Sequence, residues 1–297
     1  MDNYYVEEFI KDAKINEISI GCSNDSVREV IKNNQTYYIK KAKGNKLDKE
    51  YFMFNYFKDK SLAPKVVYFN YDGEFSTLIT EKLAGDMICC DEIFDDMHHV
   101  IDLAVDALKI LQNTSIFGLP FYNNLDIKLA TAKYNIDNGL VKTEDMNEEN
   151  QKRFGSIEKA YEYLINNKIK EEKLCLSHGD LSIPNIFFKD DKITGFVDLG
   201  DSGIADIWYD IAILVKSLRR NYETIEAEKY LFEKLNIDFN KVLQQHLGAM
   251  QNRDDFTIPL GEDKYILQKG NGNYGVSKAL MNASYVVLDD KNKSKEK

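Results

Sequence analysis

Residues 176–212 read LSHGDLSIPNIFFKDDKITGFVDLGDSGIADIWYDIA, and their spacing decides the fold. Ile186 to Lys189 and Ile193 to Val197 are apolar or aromatic runs on either side of Asp190-Asp191. Such runs around a short polar step predict a β-hairpin with a two-residue turn. In that register Asn185 and Asp198 both fall at the open end, away from the turn. Asp180 lies just upstream, in a His-Gly-Asp loop that feeds the first strand. Two carboxylates and a carboxamide therefore converge near one point. They are hard oxygen ligands, suited to Mg²⁺ rather than Zn²⁺. A free carboxylate beside two metal-binding oxygens is what phosphoryl transfer requires, because it can orient an attacking hydroxyl and accept its proton. Any one of these residues alone reads as a surface aspartate or a capping asparagine. The full pattern, H-G-D-x-x-x-x-N followed by D-x-G at the far end of one hairpin, does not.

This segment resembles the catalytic core of the aminoglycoside phosphotransferase family, relatives of the protein kinases, and is most like the 3′-phosphotransferases. The wider likeness spans most of residues 15 to 256. It implies an α+β, bilobal, protein-kinase-like fold. A small antiparallel-sheet lobe with one helix, residues 1–84, would bind nucleotide. A larger, mainly helical lobe, residues 85–256, would carry catalysis and the acceptor. Asp180 matches the family's catalytic aspartate, and Asn185 and Asp198 match its magnesium ligands. His178, Asp206 and Asp210 match positions whose role is structural, and Trp208 and Tyr209 fit the core better than a substrate contact. The implied activity is transfer of the γ-phosphate of ATP or GTP, with Mg²⁺, to an aminoglycoside hydroxyl, the 3′ position first, which confers resistance. The same fold serves macrolide, choline and homoserine kinases, so the fold leaves the acceptor open. A nucleotide-binding pseudokinase is disfavoured by the presence of Asp180, Asn185, Asp198 and Lys40 together.

Upstream, Ser26 to Val30 and Thr36 to Lys40 alternate apolar and polar residues around Lys32-Asn33-Asn34-Gln35, a hairpin signal. Lys40 ends the second strand, and Glu50 begins a helix whose apolar residues recur at 47, 51, 54 and 57. The spacing to Glu50 and to Pro64-Lys65-Val66 resembles the family's strand lysine and its helix glutamate, and selects Lys40 over Lys41 and Lys43. Lys40 would then contact the α- and β-phosphates. Tyr38 shares a strand face with Lys40 and resembles the aromatic that stacks on adenine. The turn from Gly21 to Ser26 matches the nucleotide-covering loop, with Ser23 and Ser26 as donors to phosphate. Thr80 to Leu83 is the expected hinge, offering backbone hydrogen bonds to the base. Further helices are expected over 101–112, from a Ser156 cap to Asn166, over 208–218 and over 224–235. Residues 143–150 read as a loop or a helix start.

Lysine plus arginine is 39 and aspartate plus glutamate is 49, so the net charge is −10. That argues against nucleic acid and anionic membranes as partners and admits a cationic small molecule. Carboxylates to receive one cluster at Glu144, Asp145, Glu148 and Glu149, at Asp201, and at Asp254 and Asp255 before Phe256. Each cluster also fits an ordinary solvated face. The four cysteines form no C-x-x-C pair, and the acidic N-terminus has no secretory pattern; both point to a cytoplasmic protein. Residues 257–297 lie beyond the resemblance and are expected to form an extension of unknown role, with a turn at Gly270 to Asn273 and a solvated tail.

Overall fold

The computed structural model describes residues 2–18, 26–146, 148–166, 173–237, 255–261, 264–269 and 286–289. The expected sites Ser23 and Asp254, the 270–273 turn and the tail lie outside them. In chain order the elements begin α1 (Asp2–Ile10), β1 (Lys14–Ile18), β2 (Ser26–Lys32), β3 (Gln35–Lys43), α2 (Asp48–Tyr56), β4 (Val66–Tyr71) and β5 (Phe75–Glu81). Next come β6 (Asp86–Met87), α3 (Asp91–Phe94), α4 (Met97–Gln112), α5 (Leu125–Asp137), α6 (Glu148–Phe154) and α7 (Ile157–Asn166). The remainder is β7 (Leu174–Ser177), β8 (Ile186–Lys189), β9 (Lys192–Phe196), β10 (Gly203–Asp206), α8 (Trp208–Tyr222), α9 (Ile225–Lys234), β11 (Asp255–Gly261), β12 (Lys264–Lys269) and β13 (Val286–Asp289). The class is α+β. Two compact units divide the chain, one of residues 1–110 with 178–202, the other of 111–177 with 203–297.

The first unit holds an antiparallel sheet in the order β1-β2-β3-β5-β4. Strand alternation gives this sheet two faces. On one face Val30, Ile39 and Ile79 are buried, and Val6, Phe9 and Ile10 of α1 pack over them. Lys32 fixes α1 there, its Nζ donating to the Phe9 carbonyl at 2.8 Å, where a helix C-terminus favours a cation. On the other face stand Tyr38 and Lys40 of β3, with α2 supplying Glu50 to Lys40. The β2–β3 turn places Asn33 and Asn34 at φ of 52° and 60°, as a two-residue primed turn requires.

A second hairpin of this unit, β8–β9, joins the short β6 in one sheet. Its turn is Asp190-Asp191, at φ of 50° and 57°. The strand after the turn is held at two points. Phe196 N–H donates to the Leu62 carbonyl at 2.9 Å, and Thr194 Oγ1 donates to the Ala84 carbonyl at 2.6 Å.

In the second unit β7 and β10 pair antiparallel. Ser177, the last residue of β7, donates its hydroxyl to buried Asp210 at 3.0 Å. Asp206 accepts from the backbone N–H of Lys173 at 2.8 Å and of Trp208 at 2.9 Å, so it ties β7 to the start of α8. Tyr209 is buried, with the Lys128 ammonium 3.7 Å from its ring centroid. Arg219 of α8 pairs with buried Glu228 of α9. The strands β11, β12 and β13 form an antiparallel sheet.

Candidate active site

The H-G-D loop is organised around His178, which is fully buried. Its Nε2 lies 3.0 Å from the Val197 carbonyl, and the Asp180 N–H donates to its Nδ1 at 3.3 Å. That pairing assigns the neutral ring with the proton on Nε2. One imidazole therefore links the loop bearing Asp180 to the strand end bearing Asp198. Its structural role is the one expected from the sequence. Ser202 adds a second tie, its hydroxyl donating to the His178 carbonyl at 2.9 Å. Gly179 sits between them at φ +84°, and a Cβ built there would lie 2.2 Å from the Asp201 carbonyl oxygen, so only glycine fits.

Burial pushes the His178 pKa down from 6.5 to about 4, against the opposing pull of Asp198 and the Val197 carbonyl. The folded value lies below the unfolded one, so the contribution to stability is complete above about pH 6.5 and is lost as pH falls toward 4. The shift corresponds to about 3 kcal/mol. Thermal melts between pH 7.5 and 4.5 are expected to fall more steeply for the native chain than for His178→Gln. Parallel curves would remove the histidine from the acid response.

Asp180 is half-buried. Asn185 donates its amide to the Asp180 carbonyl at 2.9 Å and approaches its Oδ2 at 3.4 Å. This orientation turns the Asn185 amide oxygen the other way. Val197 N–H donates to the Asn185 carbonyl at 3.2 Å, so the two ends of the hairpin meet where the expected register puts them. Asp198 follows at φ 56°, ψ 49°. A non-glycine residue held left-handed costs on the order of 1–3 kcal/mol and persists where its surroundings over-determine it. Its carboxylate meets Lys40, whose Nζ lies 2.8 Å from Asp198 Oδ1 and 2.8 Å from Glu50 Oε2. Burial draws the Lys40 pKa down, but the two carboxylates outweigh it and raise it overall, so the ammonium stays charged.

Asp180, Asn185, Asp198, Lys40 and Glu50 thus belong to one connected set in the first unit. Oxygen donors from Asp180, Asn185 and Asp198 suit a hard cation that prefers oxygen, and they include no thiolate or imidazole. Tyr38 stands two residues before Lys40 on the same face, with Thr80 as its cross-strand neighbour. Ser26 opens β2 and is exposed. In the expected hinge segment the Lys82 N–H donates to the Thr36 carbonyl and the Ala84 carbonyl accepts from Thr194, with Leu83 between them.

Of the acidic residues, Asp201 is half-buried, and its charge raises the pKa of Lys49 on α2, which burial lowers more strongly. In the second unit Glu144 is exposed on a 3-10 turn, Thr143–Asp145, while Asp145 Oδ2 accepts the Lys142 N–H at 2.8 Å and so braces that turn. Glu148 and Glu149 open α6, and Asp255 opens β11.

The model of the phosphotransferase enzyme family, APH, matches residues 14–242. An aminoglycoside 3′-phosphotransferase of Enterococcus faecalis is 34% identical over 232 residues, which cover 75% of this chain and 87% of that protein. The chain belongs to the aminoglycoside phosphotransferase family. Among solved structures of this family, the aminoglycoside 3′-phosphotransferase of type VIII superposes with a TM-score of 0.68 at 19% identity. It covers 96% of this chain and 98% of its own. An aminoglycoside phosphotransferase of Streptomyces rimosus, in complex with ADP and streptomycin, reaches a TM-score of 0.58 at 18% identity. The match covers 78% of this chain and 89% of that one. At these identities the two structures speak for the fold of the family.

Proposed function

We propose that the chain transfers the γ-phosphate of ATP or GTP to the 3′-hydroxyl of an aminoglycoside. The observation that carries this reading is that Lys40 bonds Glu50 and Asp198, that Asn185 bonds Asp180, and that the Val197 N–H bond to the Asn185 carbonyl brings the two groups together at the hairpin's open end. Lys40 meets the α- and β-phosphates, and Glu50 holds its ammonium in place. Tyr38 carries the base, Thr80 and Leu83 bound it at the hinge, and Ser23 and Ser26 belong to the covering loop. Asn185 and Asp198 would hold Mg²⁺, which supplies positive charge to the phosphates. Asp180 orients the acceptor hydroxyl and takes its proton as the oxygen attacks phosphorus. The names of the curated relatives support the aminoglycoside acceptor, and the Streptomyces complex supports a nucleotide beside it.

A polycationic acceptor calls for carboxylates, and the candidates are Glu144, Asp145, Glu148, Glu149, Asp201, Asp254 and Asp255. Of Glu144 and Asp145, Glu144 is the better ligand, because Asp145 already braces its own turn. Residues 1–84 would serve the nucleotide, 85–256 catalysis and acceptor, and 257–297 would be an added segment. Among the described residues no helix is long and apolar enough to cross a membrane. Release of ADP should be measured across aminoglycosides with and without a 3′-hydroxyl. Turnover is expected with the former and none with the latter. Absence of turnover with any of them would overturn the acceptor assignment.

A further inference from the structure

Three side chains on neighbouring strands form a row across the sheet face that carries Lys40. Asn16 of β1 is the register partner of Glu29 on β2, and Glu29 is the partner of Tyr38 on β3. Directly opposed residues share a face with their Cβ atoms about 5 Å apart. The row is joined by polar contacts. Asn16 Nδ2 donates to Glu29 Oε2 at 2.8 Å, and the Tyr38 hydroxyl donates to Glu29 Oε1 at 3.4 Å. All three side chains are half-buried, while the opposite face of the same strands is closed under α1. The Tyr38 pKa is raised, first by burial and then by the Glu29 charge, so the phenol keeps its proton and remains a donor.

Nothing in the phosphoryl-transfer chemistry uses Glu29 or Asn16, yet a carboxylate stands on the nucleotide face. From this row we infer that Glu29, itself fixed by Asn16, is a positioning residue that sets the rotation of the Tyr38 ring on which a purine base rests. The inference rests on the nucleotide reading of this face. An aromatic platform binds a flat base well only when its plane is defined beforehand, since ordering it at the moment of binding costs affinity. Tyr38 has a polar handle at the far end of its ring, and Glu29 is the acceptor that holds the handle. Lys40 lies two residues along β3 from Tyr38 on the same face. The ligand of this face is a purine nucleoside polyphosphate, its base stacked on the tethered ring and its phosphates toward Lys40.

The test is ADP binding by calorimetry on the full chain, without acceptor. Tyr38→Phe, which keeps the ring and loses the handle, is expected to raise the Kd about fivefold, as removal of one hydrogen bond does. Glu29→Ala should do the same. The double variant should also stop near fivefold rather than about 25-fold, since both changes break one tether. Glu29→Gln retains an acceptor and should restore the Kd to within about twofold of the native value, a recovery that a purely electrostatic role would not give. A native Kd in Tyr38→Phe, or additive losses in the double variant, would overturn the tether. Tyr38→Ala separates this failure from a deeper one. If Tyr38→Ala weakens ADP binding while Tyr38→Phe does not, the platform stands and only the tether falls. If Tyr38→Ala also binds like the native chain, the nucleotide reading of the face falls with it.

Discussion

Asp180→Ala is expected to lower kcat by about 10²–10⁴-fold, the range for loss of a positioned general base, while ADP binding changes by less than about threefold. The separation follows from how the loop is built. Asp180 is held in place by its backbone. Its N–H donates to His178 Nδ1, and its carbonyl accepts from Ser182 N–H at 2.8 Å and from the Asn185 amide at 2.9 Å. Truncating the side chain leaves those bonds and the glycine-only step at Gly179 intact. The tie between loop and hairpin through His178 is likewise backbone-to-ring and survives. What disappears is the carboxylate proposed to receive the hydroxyl proton. Asp180→Asn gives the stricter comparison, since it preserves shape and removes only the capacity to accept. Both variants should be slow at saturating nucleotide and acceptor, and both should melt within a few degrees of the native chain. A native kcat in either would remove Asp180 from the chemistry.

Much of this site is legible in the sequence because its geometry is local. The Asp190-Asp191 and Asn33-Asn34 turns lie between strands whose alternation is plain, and asparagine and aspartate tolerate the left-handed conformation both turns adopt. Once the hairpin is fixed, Asn185 and Asp198 must meet at its open end. Other features depend on partners far along the chain. The bond from Lys40 to Asp198 joins residues separated by 158 positions, and no local pattern encodes it. The helix α1 escapes notice because it is short and strongly acidic, although Val6, Phe9 and Ile10 carry the spacing of one buried face. The helix α5 escapes for a different reason. Leu125, Leu129 and Ala132 are buried, but Ile127 and Tyr134 are exposed apolar residues on the other side, which erases the contrast between faces. Residues 143–150 show the middle case, a 3-10 turn followed by the start of α6, where a loop or helix start was the expectation.

Lys40→Met should damage stability and activity together, and a second substitution should separate the two. The Glu50 side chain is 4% exposed and its carboxylate is met by Lys40 at 2.8 Å. Removing the ammonium leaves that charge buried without its counter-ion, which costs on the order of 3–5 kcal/mol. Asp198 loses the same partner, but its side chain is 44% exposed and water compensates, so little of the loss arises there. The double variant Lys40→Met with Glu50→Leu replaces the pair by apolar groups of similar size. Such replacements are often neutral in stability, so urea unfolding of the double variant is expected to return to within about 1 kcal/mol of the native chain. Phosphotransfer should not return with it. The ammonium proposed to meet the nucleotide phosphates is absent from both variants, and Asp198 has lost its Lys40 partner. Recovery of stability without recovery of kcat/KM for the nucleotide would assign Lys40 to substrate and Glu50 to the support of Lys40. A double variant that regains turnover along with stability would show instead that the pair serves the fold alone.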